Sequence, residues 1–294
     1  MFLIIVAFAT RHSTREEFAE KRDQSRIARE ARYRPVFAVR DWFLASLDRV
    51  IPPPINALVG GVLLGSRSQL PREITEDFRR TGLSHVMAIS GYNVSIITVM
   101  LMNILAPLVA RRRAFWAIIG LVAFFTILTG LQPSVIRAGI MGLFVLFAQY
   151  VGRVPTPLHA LTIAAALMVA FNPLILRFDI GFQLSVMATL GILTLAPKLE
   201  KKLWETASVT ISAQLFVLPL ILYYFKTFSI IALPANLVIL PMIPWLMFLG
   251  FFAGLLGWIP IIGPVAGFLT WTLGKIILVV VHWFAIIPWA SMYL

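Results

Sequence analysis

Arg137 is the residue whose type and position most directly predict chemistry in this sequence. It lies early in an otherwise apolar segment, Q-P-S-V-I-R-A-G-I-M, just after Pro133 and Ser134. An arginine at the centre of a bilayer costs about 2.5–3.5 kcal/mol. A guanidinium that faces a cavity at that depth could bind a phosphate through two parallel hydrogen bonds. The alternative is an arginine near a helix end that reaches the lipid headgroups or pairs with Asp179.

Polar side chains interrupt most of the other apolar segments as well. A single such side chain is more often a hydrogen bond between two helices than a ligand contact. Together with Arg137, however, they place a polar group in most segments, which favours a hydrated path over a purely structural bundle. These residues are Ser90, Asn93, Ser134, Gln183, Ser185, Gln214 and Asn236.

The stretch from residue 78 to residue 95, FRRTGLSHVMAISGYNVS, brings basic, polar and aromatic residues to the start of an apolar segment. The basic pair Arg79 and Arg80 would attract phosphate groups, and Tyr92, with Phe78 as a second candidate, could stack on bases without sequence preference. Glycines in such a stretch allow close backbone approach or a break in a helix. The other residues of interest here are His85, Ser90, Asn93, Gly82 and Gly91.

Residue types that carry enzyme chemistry are scarce. The sequence has no cysteine, and its 4 histidines are scattered without the spacing of metal ligands. Asp179 is the only carboxylate near an apolar segment, so the clustered carboxylates of a two-metal nuclease are missing, and there is no P-loop. Ser90 with His282 resembles an intramembrane serine protease pair, but Ala88 stands where such proteases usually have glycine. We therefore predict no enzymatic activity, no cofactor and no metal site.

The composition is that of a membrane protein. Of the 294 residues, 60% are hydrophobic and 13% are charged, and the mean hydropathy is +0.89. Apolar segments of about 18 residues or more recur, which predicts an all-α, polytopic transmembrane helical bundle. The net charge of +12 fits either the usual excess of Lys and Arg in cytoplasmic loops or the attraction of a polyanion such as nucleic acid.

We expect about eight spans, with seven or nine as alternatives. Prolines at 219, 234, 241 and 244 predict that some of these helices are broken. Residues 55–65 are apolar but too short to span, so a re-entrant or partly buried segment is expected there. The expected spans are 86–109, 114–132, 135–152, 158–176, 180–197, 207–224, 237–257 and 265–288.

Residues 1–50 form the first of two expected regions, and residues 51–294 form the polytopic membrane domain. The apolar stub at residues 1–9 is too short to span and resembles the tail of a spanning helix. Residues 14–32 predict a charged helix. Residues 36–51 carry an apolar stripe, which indicates an amphipathic helix lying in the membrane interface or, alternatively, packed on the bundle.

Basic residues cluster on one side of the expected bundle, and the positive-inside rule places that side in the cytoplasm. Residues 66–85 would then lie outside. The basic stretch 11–50 fits this arrangement only if segment 55–65 crosses or an earlier span fixes the orientation. The clusters after the first, third and fifth expected spans are 111–113, Arg153, and Lys198 with Lys201 and Lys202.

The segment FRRTGLSHVMAISGYNV resembles the signature of the ComEC family of competence proteins, which are membrane channels that take DNA into bacterial cells. The blocks PSVIRAGIM, DIGFQLSVMATLGI and AQLFVLPLILYYFKTFSIIALPANLVILP resemble further family blocks in the same order. The match runs from about residue 55 to the C-terminus. The resemblance implies passive transport of single-stranded DNA across the bacterial cytoplasmic membrane during natural transformation.

The resemblance also implies partners and channel-forming residues. Because no motor motif is present, we expect an extracellular DNA receptor and a cytoplasmic motor helicase, besides membrane lipid and a possible homo-oligomer. The residues that match the family blocks are His85, Ser90, Gly91, Asn93, Arg137, Ala138, Gly139, Gln183, Ser185, Pro219 and Asn236.

Two departures from the family pattern limit what the resemblance implies. Tyr92-Asn93 stands where many relatives have Leu-His. The OB-fold and β-lactamase-like domains of full relatives are missing, so we expect a fragment, or a minimal or decayed member. The alternative functions are a small-molecule secondary transporter and a non-transporting remnant or scaffold of a DNA-uptake complex.

Overall fold

The computed structural model describes residues 20, 24, 31–66, 70–87, 111–201, 203–287 and 292–293. The apolar stub, nearly all of the charged helix 14–32 and all but the start of the expected span 86–109 lie outside these residues. The described part is almost entirely helical, which confirms the all-α class. Of the candidate site residues, Ser90, Gly91, Tyr92 and Asn93 lie outside the described residues.

Before residue 88, the described part of the chain contains three helices. The helix α1 (Arg34–Val50) has a proline in its first turn, where the missing N–H removes no intrahelical bond. The apolar α2 (Ile55–Leu64) ends at Gly65, whose φ of 73° is the left-handed conformation that closes many helices. The short α3 (Arg72–Arg80) carries the basic pair in its last turn.

The middle of the chain forms consecutive apolar helices joined by short turns. They run as α4 (Arg111–Leu128), α5 (Pro133–Tyr150), α6 (Pro157–Phe171), α7 (Ile175–Phe178) and α8 (Ile180–Thr194). Both α5 and α6 begin with a proline, Pro133 and Pro157. The first N–H groups of a helix have no partner within the helix, so the missing N–H of proline costs no hydrogen bond there.

The last part of the chain contains the longest helices. A short α9 (Ala196–Leu199) leads to α10 (Glu205–Phe225), and α11 (Ala232–Ile239) follows after a turn. A 3₁₀ segment separates α11 from α12 (Ile243–Leu256), and α13 (Ile262–Ile286) comes last. Two residue pairs form an antiparallel ladder between β1 (Thr227–Phe228) and β2 (Met292–Tyr293), namely Thr227 with Tyr293 and Phe228 with Met292.

Four stretches in the described part are long and apolar enough to cross a membrane, and they match the last four expected spans. They are Ile180–Leu199, Glu205–Phe225, Ala232–Leu256 and Ile262–Ile286. The expected spans 114–132, 135–152 and 158–176 correspond to the shorter apolar stretches Phe115–Leu128, Pro133–Ala148 and Pro157–Phe171. The structure therefore gives an all-α membrane protein, and the count of eight spans remains a prediction.

The expectation of proline-broken helices holds at one place and is wrong at another. The 3₁₀ segment Leu240–Met242 contains Pro241 and interrupts the stretch between α11 and α12. Helix α10, by contrast, runs without a break through Pro219. A proline in a helix removes only one backbone hydrogen bond, and a packed bundle can compensate for that loss.

Helix α2 lies at the centre of the main core. All but Asn56 of its 10 residues are buried, which is more complete than the partial burial expected. The core around it comes from α1, α3, α11, α12 and α13, with Leu58, Leu246 and Ile277 fully buried. Glycines on the facing helices admit α2, since a Cβ at Gly250 would lie 2.5 Å from Val59 Cγ1.

Helix α1 packs on the bundle, which is the second of the two expected arrangements. The ring of Phe43 lies against Gly254 of α12, and Val50 lies against Gly267 of α13. Leu47 is fully buried, whereas Val39, on the same predicted stripe, is 45% exposed. One part of the apolar stripe is therefore buried against the bundle, and another part is exposed on the outer surface.

The N-terminal helices follow α13 from its beginning toward its end. Val50 contacts Gly267, Ile55 contacts Gly274, and Asp77 contacts His282. The chain from α1 to α3 thus runs alongside α13, from its beginning to its end, and α13 is long enough to cross a membrane. Helix α2 thus lies beside the middle of α13, and a crossing by segment 55–65 stays a prediction.

Candidate functional site

Arg137 is a buried cation without a hydrogen-bond partner on two of its nitrogens. Its residue is only 5% exposed, and neither Nε nor Nη1 finds a partner. The side chain projects from the second turn of α5, after Pro133 and Ser134. A buried charge that lacks a partner is strongly unfavourable, so such groups persist mainly where a ligand or water completes them.

The packing of α5 shows which side of the helix Arg137 occupies. Gly139 faces α4, where an added Cβ would lie 3.4 Å from Val122 Cγ1. Ile136 and Ile140 pack on the cluster formed by α6, α7 and α8. Because consecutive helical residues are about 100° apart, Arg137 lies on a third side of α5, away from Gly139.

Asp179 is not the counter-ion of Arg137. Its Oδ1 accepts a hydrogen bond of 2.8 Å from the backbone N–H of Phe182 and so caps the N-terminus of α8. In the part of the chain that the structure describes, no carboxylate forms an ion pair with Arg137. The burial of the guanidinium also argues against a side chain that reaches the headgroups.

Among the polar residues expected on α8 and α10, Gln183 makes hydrogen bonds that stabilise the local structure. Gln183 Nε2 donates to the carbonyl oxygens of Leu176 at 2.7 Å and Arg177 at 3.2 Å, so its amide closes the end of α7. Gln183 Oε1 is buried without a partner. Ser185 and Gln214 are half-buried, as is Ser134 on α5.

Two buried hydroxyls on α10 were missed in the sequence. Ser208 and Ser212 are both 0% exposed, and neither Oγ has a hydrogen-bond partner. They are one turn apart, and the carbonyl oxygen of Ser212 lies against Gly191 of α8. The sequence pattern that could have predicted this close packing of α8 and α10 is a pair of small polar residues four positions apart on one apolar helix and a glycine on the other.

The basic pair on α3 does not form a freely positive surface. Arg79 makes a bidentate ion pair with Glu76, in which its Nε donates to Oε2 and its Nη2 donates to Oε1, both at 2.8 Å. Arg80 Nε lies 3.4 Å from the same Oε1. The Arg79 hydrogen bond lowers the pKa of the Glu76 carboxyl below its ordinary value of 4.5. Helix α3, REITEDFRR, carries as many acidic residues as arginines. The spacing of Glu76 three and four residues before the arginines could have predicted this.

Besides the contact of Asp77 with His282, three further contacts hold the end of α3 and the following Gly82 against other parts of the chain. Phe78 is fully buried in the main core. Ser229 Oγ donates a hydrogen bond of 2.7 Å to the carbonyl oxygen of Arg80. Gly82 has a φ of 70°, and a Cβ there would lie 2.6 Å from the Cβ of Ala232. The glycine of the signature stretch is therefore required both by its backbone conformation and by its contact with α11.

His85 and Asn236 lie near the same anchoring region. The His85 side chain is exposed, and its Nδ1 lies 3.2 Å from the carbonyl oxygen of Gly82. Asn236 is 4% exposed, and its Oδ1 has no partner. Since Asn236 follows Ala232 by four residues, it lies on the side of α11 that Gly82 contacts, just before the 3₁₀ segment.

The described candidate residues therefore fall into three groups. Ser134 and Arg137 occupy the start of α5, and Gly139 fixes that helix to α4. The second group joins the end of α3 to α11. Gln183, Ser185 and Gln214 belong to the packed pair of α8 and α10. Pro219, also on α10, is exposed.

Comparison with known proteins identifies the family. A family model described as "Competence protein" matches residues 62–294. The chain is 29% identical over 225 residues to ComE operon protein 3 of Bacillus subtilis (strain 168), which covers 75% of this chain and 29% of that protein. It is 33% identical over 112 residues to the uncharacterized protein YcaI of Escherichia coli (strain K12), covering 35% of this chain and 15% of that protein. No solved structure matches the chain.

The matched region contains all three groups of candidate residues described above. It begins within α2 and includes α3, the start of α5, and the helix pair α8 and α10. Because the model covers more than half of the chain, the chain belongs to the ComEC-type family of competence proteins, as its signature blocks predicted.

Proposed function

We propose that this chain is an integral membrane channel that carries single-stranded DNA across the bacterial cytoplasmic membrane during natural transformation. The observation that supports it most is Arg137, a buried guanidinium with two unpaired nitrogens in an apolar helix. A passing phosphodiester would supply the missing acceptors through charge-assisted hydrogen bonds. Once the strand has passed, the site is ready for the next phosphate.

A channel needs weak and repeated contacts rather than one tight site, because each phosphate must leave as easily as it enters. Arg137 would lower the barrier for the anionic backbone in the middle of the path. The unpaired carbonyl oxygens, Gln183 Oε1 and Asn236 Oδ1, accept hydrogen bonds and could hold water molecules that solvate the strand elsewhere along the path. The contact of Arg137 would be to phosphate, so transport would not depend on base sequence.

The entrance in this proposal is the end of α3. Arg79 and Arg80 share one carboxylate, Glu76, through partly exposed side chains. Solvent-exposed ion pairs contribute little net free energy, so a phosphate can compete for the same arginines. Entry of DNA would then weaken as salt increases. Tyr92 remains a proposed stacking residue for the bases.

The driving force and the assembly are also part of the proposal. We assign no catalytic step to this chain, so an extracellular receptor would deliver the DNA and a cytoplasmic motor helicase would pull it. The chain would cross the plasma membrane several times and could form homo-oligomers. The matched region covers 29% of the Bacillus relative, so other segments of such proteins could supply further functions.

A second candidate, a small-molecule secondary transporter, is favoured by one observation. The stretch Ala232–Leu256 is interrupted by the 3₁₀ segment Leu240–Met242, and the buried Asn236 Oδ1 next to that interruption is unpaired. Transporters often bind substrates at interrupted helices of this kind. A third possibility, a non-transporting scaffold, predicts no flux of any solute.

Reconstitution in liposomes with an imposed membrane potential separates these functions. Entry of a fluorescent single-stranded oligonucleotide would be measured as fluorescence protected from external nuclease, beside entry of a small organic anion. A channel for DNA predicts oligonucleotide entry that Arg137→Gln reduces and that Arg153→Gln, a change in an exposed turn, leaves intact. Entry of the small anion alone would favour the transporter, and no entry at all would favour the scaffold.

A further inference from the structure

The turn between α12 and α13 carries an aromatic ring that two residues of α1 contact. Both helices belong to stretches long enough to cross a membrane, so this turn lies at a membrane surface. Trp42 stacks on Trp258 with ring centroids 6.4 Å apart. The guanidinium of Arg49 lies 5.2 Å from the centroid of the same Trp258 ring.

The three α1 residues at this turn share one helical face. Trp42, Ser46 and Arg49 are spaced by four and three residues, so their side chains stand above one another. Phe43, beside this face, packs its ring on Gly254 and holds α1 against α12. The aromatic and basic groups are thus fixed by packing, which reduces the entropy lost when a ligand binds.

Arg49 is available to an anion. Asp48, the acidic residue next to it, accepts a hydrogen bond of 2.7 Å from Asn56 Nδ2. Among the described residues, no carboxylate forms an ion pair with Arg49. The guanidinium of Arg49 lies over the face of the Trp258 ring and has N–H groups that can bind the two oxygens of a phosphate.

A second polar group points into the same junction. Ser46 is 0% exposed, its Oγ has no hydrogen-bond partner, and that oxygen lies against Gly257, the residue before Trp258. A buried hydroxyl without a partner is rare in folded proteins and indicates a missing hydrogen-bonding group.

The surface around Arg49 is apolar as well as basic. Ile259, Ile261 and Ile262 of the turn are 42%, 81% and 51% exposed, and Trp258 is 43% exposed. Nucleic acid or free phosphate would leave these side chains in water, whereas a phospholipid would cover them with acyl chains and place its phosphate at Arg49. We propose that Trp42, Ser46, Arg49 and Trp258 form a binding site for the headgroup of an anionic phospholipid.

The position of the site in the membrane agrees with this ligand. Two stretches that are long enough to cross the membrane, Glu205–Phe225 and Ala232–Leu256, separate Lys201 from Trp258. Two crossings place Lys201 and Trp258 on the same side of the membrane. The positive-inside rule assigns Lys198 and Lys201 to the cytoplasm. The cytoplasmic leaflet carries the negatively charged lipids, so the site faces the leaflet that supplies its ligand.

The test is retention of lipid by the full chain, measured by native mass spectrometry from detergent micelles with added phosphatidylglycerol or phosphatidylcholine. The wild type should retain phosphatidylglycerol preferentially. Arg49→Ala should weaken that retention about fivefold, the effect of one basic residue at a membrane surface. The matched control is Arg40→Ala on the same helix, because Arg40 also lies over a ring, that of Phe37 at 4.9 Å, but has Asp41 at 3.5 Å.

Arg49→Lys keeps the charge but loses the guanidinium over the Trp258 ring, so its retention of phosphatidylglycerol should fall between that of the wild type and that of Arg49→Ala. If Arg49→Ala does not fold, the two single variants Arg49→Lys and Trp258→Leu are compared with the wild type instead. Equal retention by Arg49→Ala and Arg40→Ala would overturn the site. Equal retention of the two lipids, or displacement of phosphatidylglycerol by a single-stranded oligonucleotide, would overturn the assignment of its ligand.

Discussion

His282 Nδ1 lies 2.8 Å from Asp77 Oδ2, although 205 residues separate the two in sequence. This contact joins the short helix that carries the basic pair to the last turns of α13. Asp77 is one residue from Phe78, which is buried in the main core, so the polar contact and the apolar contact act on the same helix. The end of α3 is therefore held at the end of a helix that is long enough to cross a membrane.

Breaking the Asp77–His282 contact should loosen α3 by a small amount. The His282 side chain is 59% exposed, and exposed pairs contribute about 1 kcal/mol or less. In thermal unfolding of the protein in micelles, Asp77→Asn and His282→Gln should each lower stability slightly, and the double variant should cost less than the sum. Glu73→Gln, paired with His282→Gln as a control cycle, should be additive. Full additivity in both cycles would show that the contact contributes nothing.

Glu76 should make the stability of the protein depend on pH in the acid range. Its pKa is lowered mainly by the Arg79 hydrogen bond, so the unfolded chain binds the proton more readily than the folded one. The stabilisation is present above the ordinary value of 4.5 and is lost as the pH falls through the lower folded value. Melting temperatures of wild type and Glu76→Gln should differ at neutral pH and converge in acid. A constant difference would contradict this, and Glu73→Gln serves as the control.

Replacing Gly82 should be costly even with the smallest side chain. Gly82→Ala forces an L-residue into a positive φ and drives its Cβ into Ala232, so a loss of about 2 kcal/mol or more is expected. Gly120→Ala is the matched control, because no atom lies within 4 Å of its added Cβ and its helical position favours alanine. Unfolding in a denaturant series measures both. Equal effects of the two changes would mean that the region around Gly82 adjusts freely.

Removing the charge of Arg137 should stabilise the fold while it damages transport. Arg137→Leu replaces an unpaired buried guanidinium by an apolar side chain, which should raise the free energy of unfolding by about 2 kcal/mol. Arg153→Leu, in an exposed turn, should change it by no more than about 0.5 kcal/mol. A marked loss of stability in Arg137→Leu would show that the arginine has a structural partner after all.

The membrane architecture was readable from the sequence because apolar length is a strong local signal. The last four expected spans match helices long enough to cross, and α2 is buried where a short apolar segment was expected. The continuity of α10 through Pro219 was not readable, since the tolerance of a proline depends on what packs around it. The effect of Glu76 on the basic pair was readable from its spacing but overlooked.

The sequence indicated which residues to consider as candidates, but it did not predict which groups those residues contact. The apolar surroundings of Arg137 pointed to an unusual arginine, and the structure leaves it buried without the counter-ion that Asp179 offered. His282, considered beside Ser90 for a protease, contacts Asp77, and Ser90 lies outside the described residues. No local pattern reveals a pair that is 205 residues apart, because such contacts arise from the packing of whole helices.

The most direct test of the channel is DNA uptake in a naturally transformable host that lacks its own ComEC-type protein. Wild type, Arg137→Gln and the control Arg153→Gln would be expressed at equal levels in the membrane, and fluorescent DNA protected from external nuclease would be counted in the cytoplasm. The channel predicts uptake with wild type and Arg153→Gln, and at least a tenfold loss with Arg137→Gln, on the order of one lost charge-assisted contact. Undiminished uptake by Arg137→Gln would contradict the claim that this arginine lies on the path of the DNA.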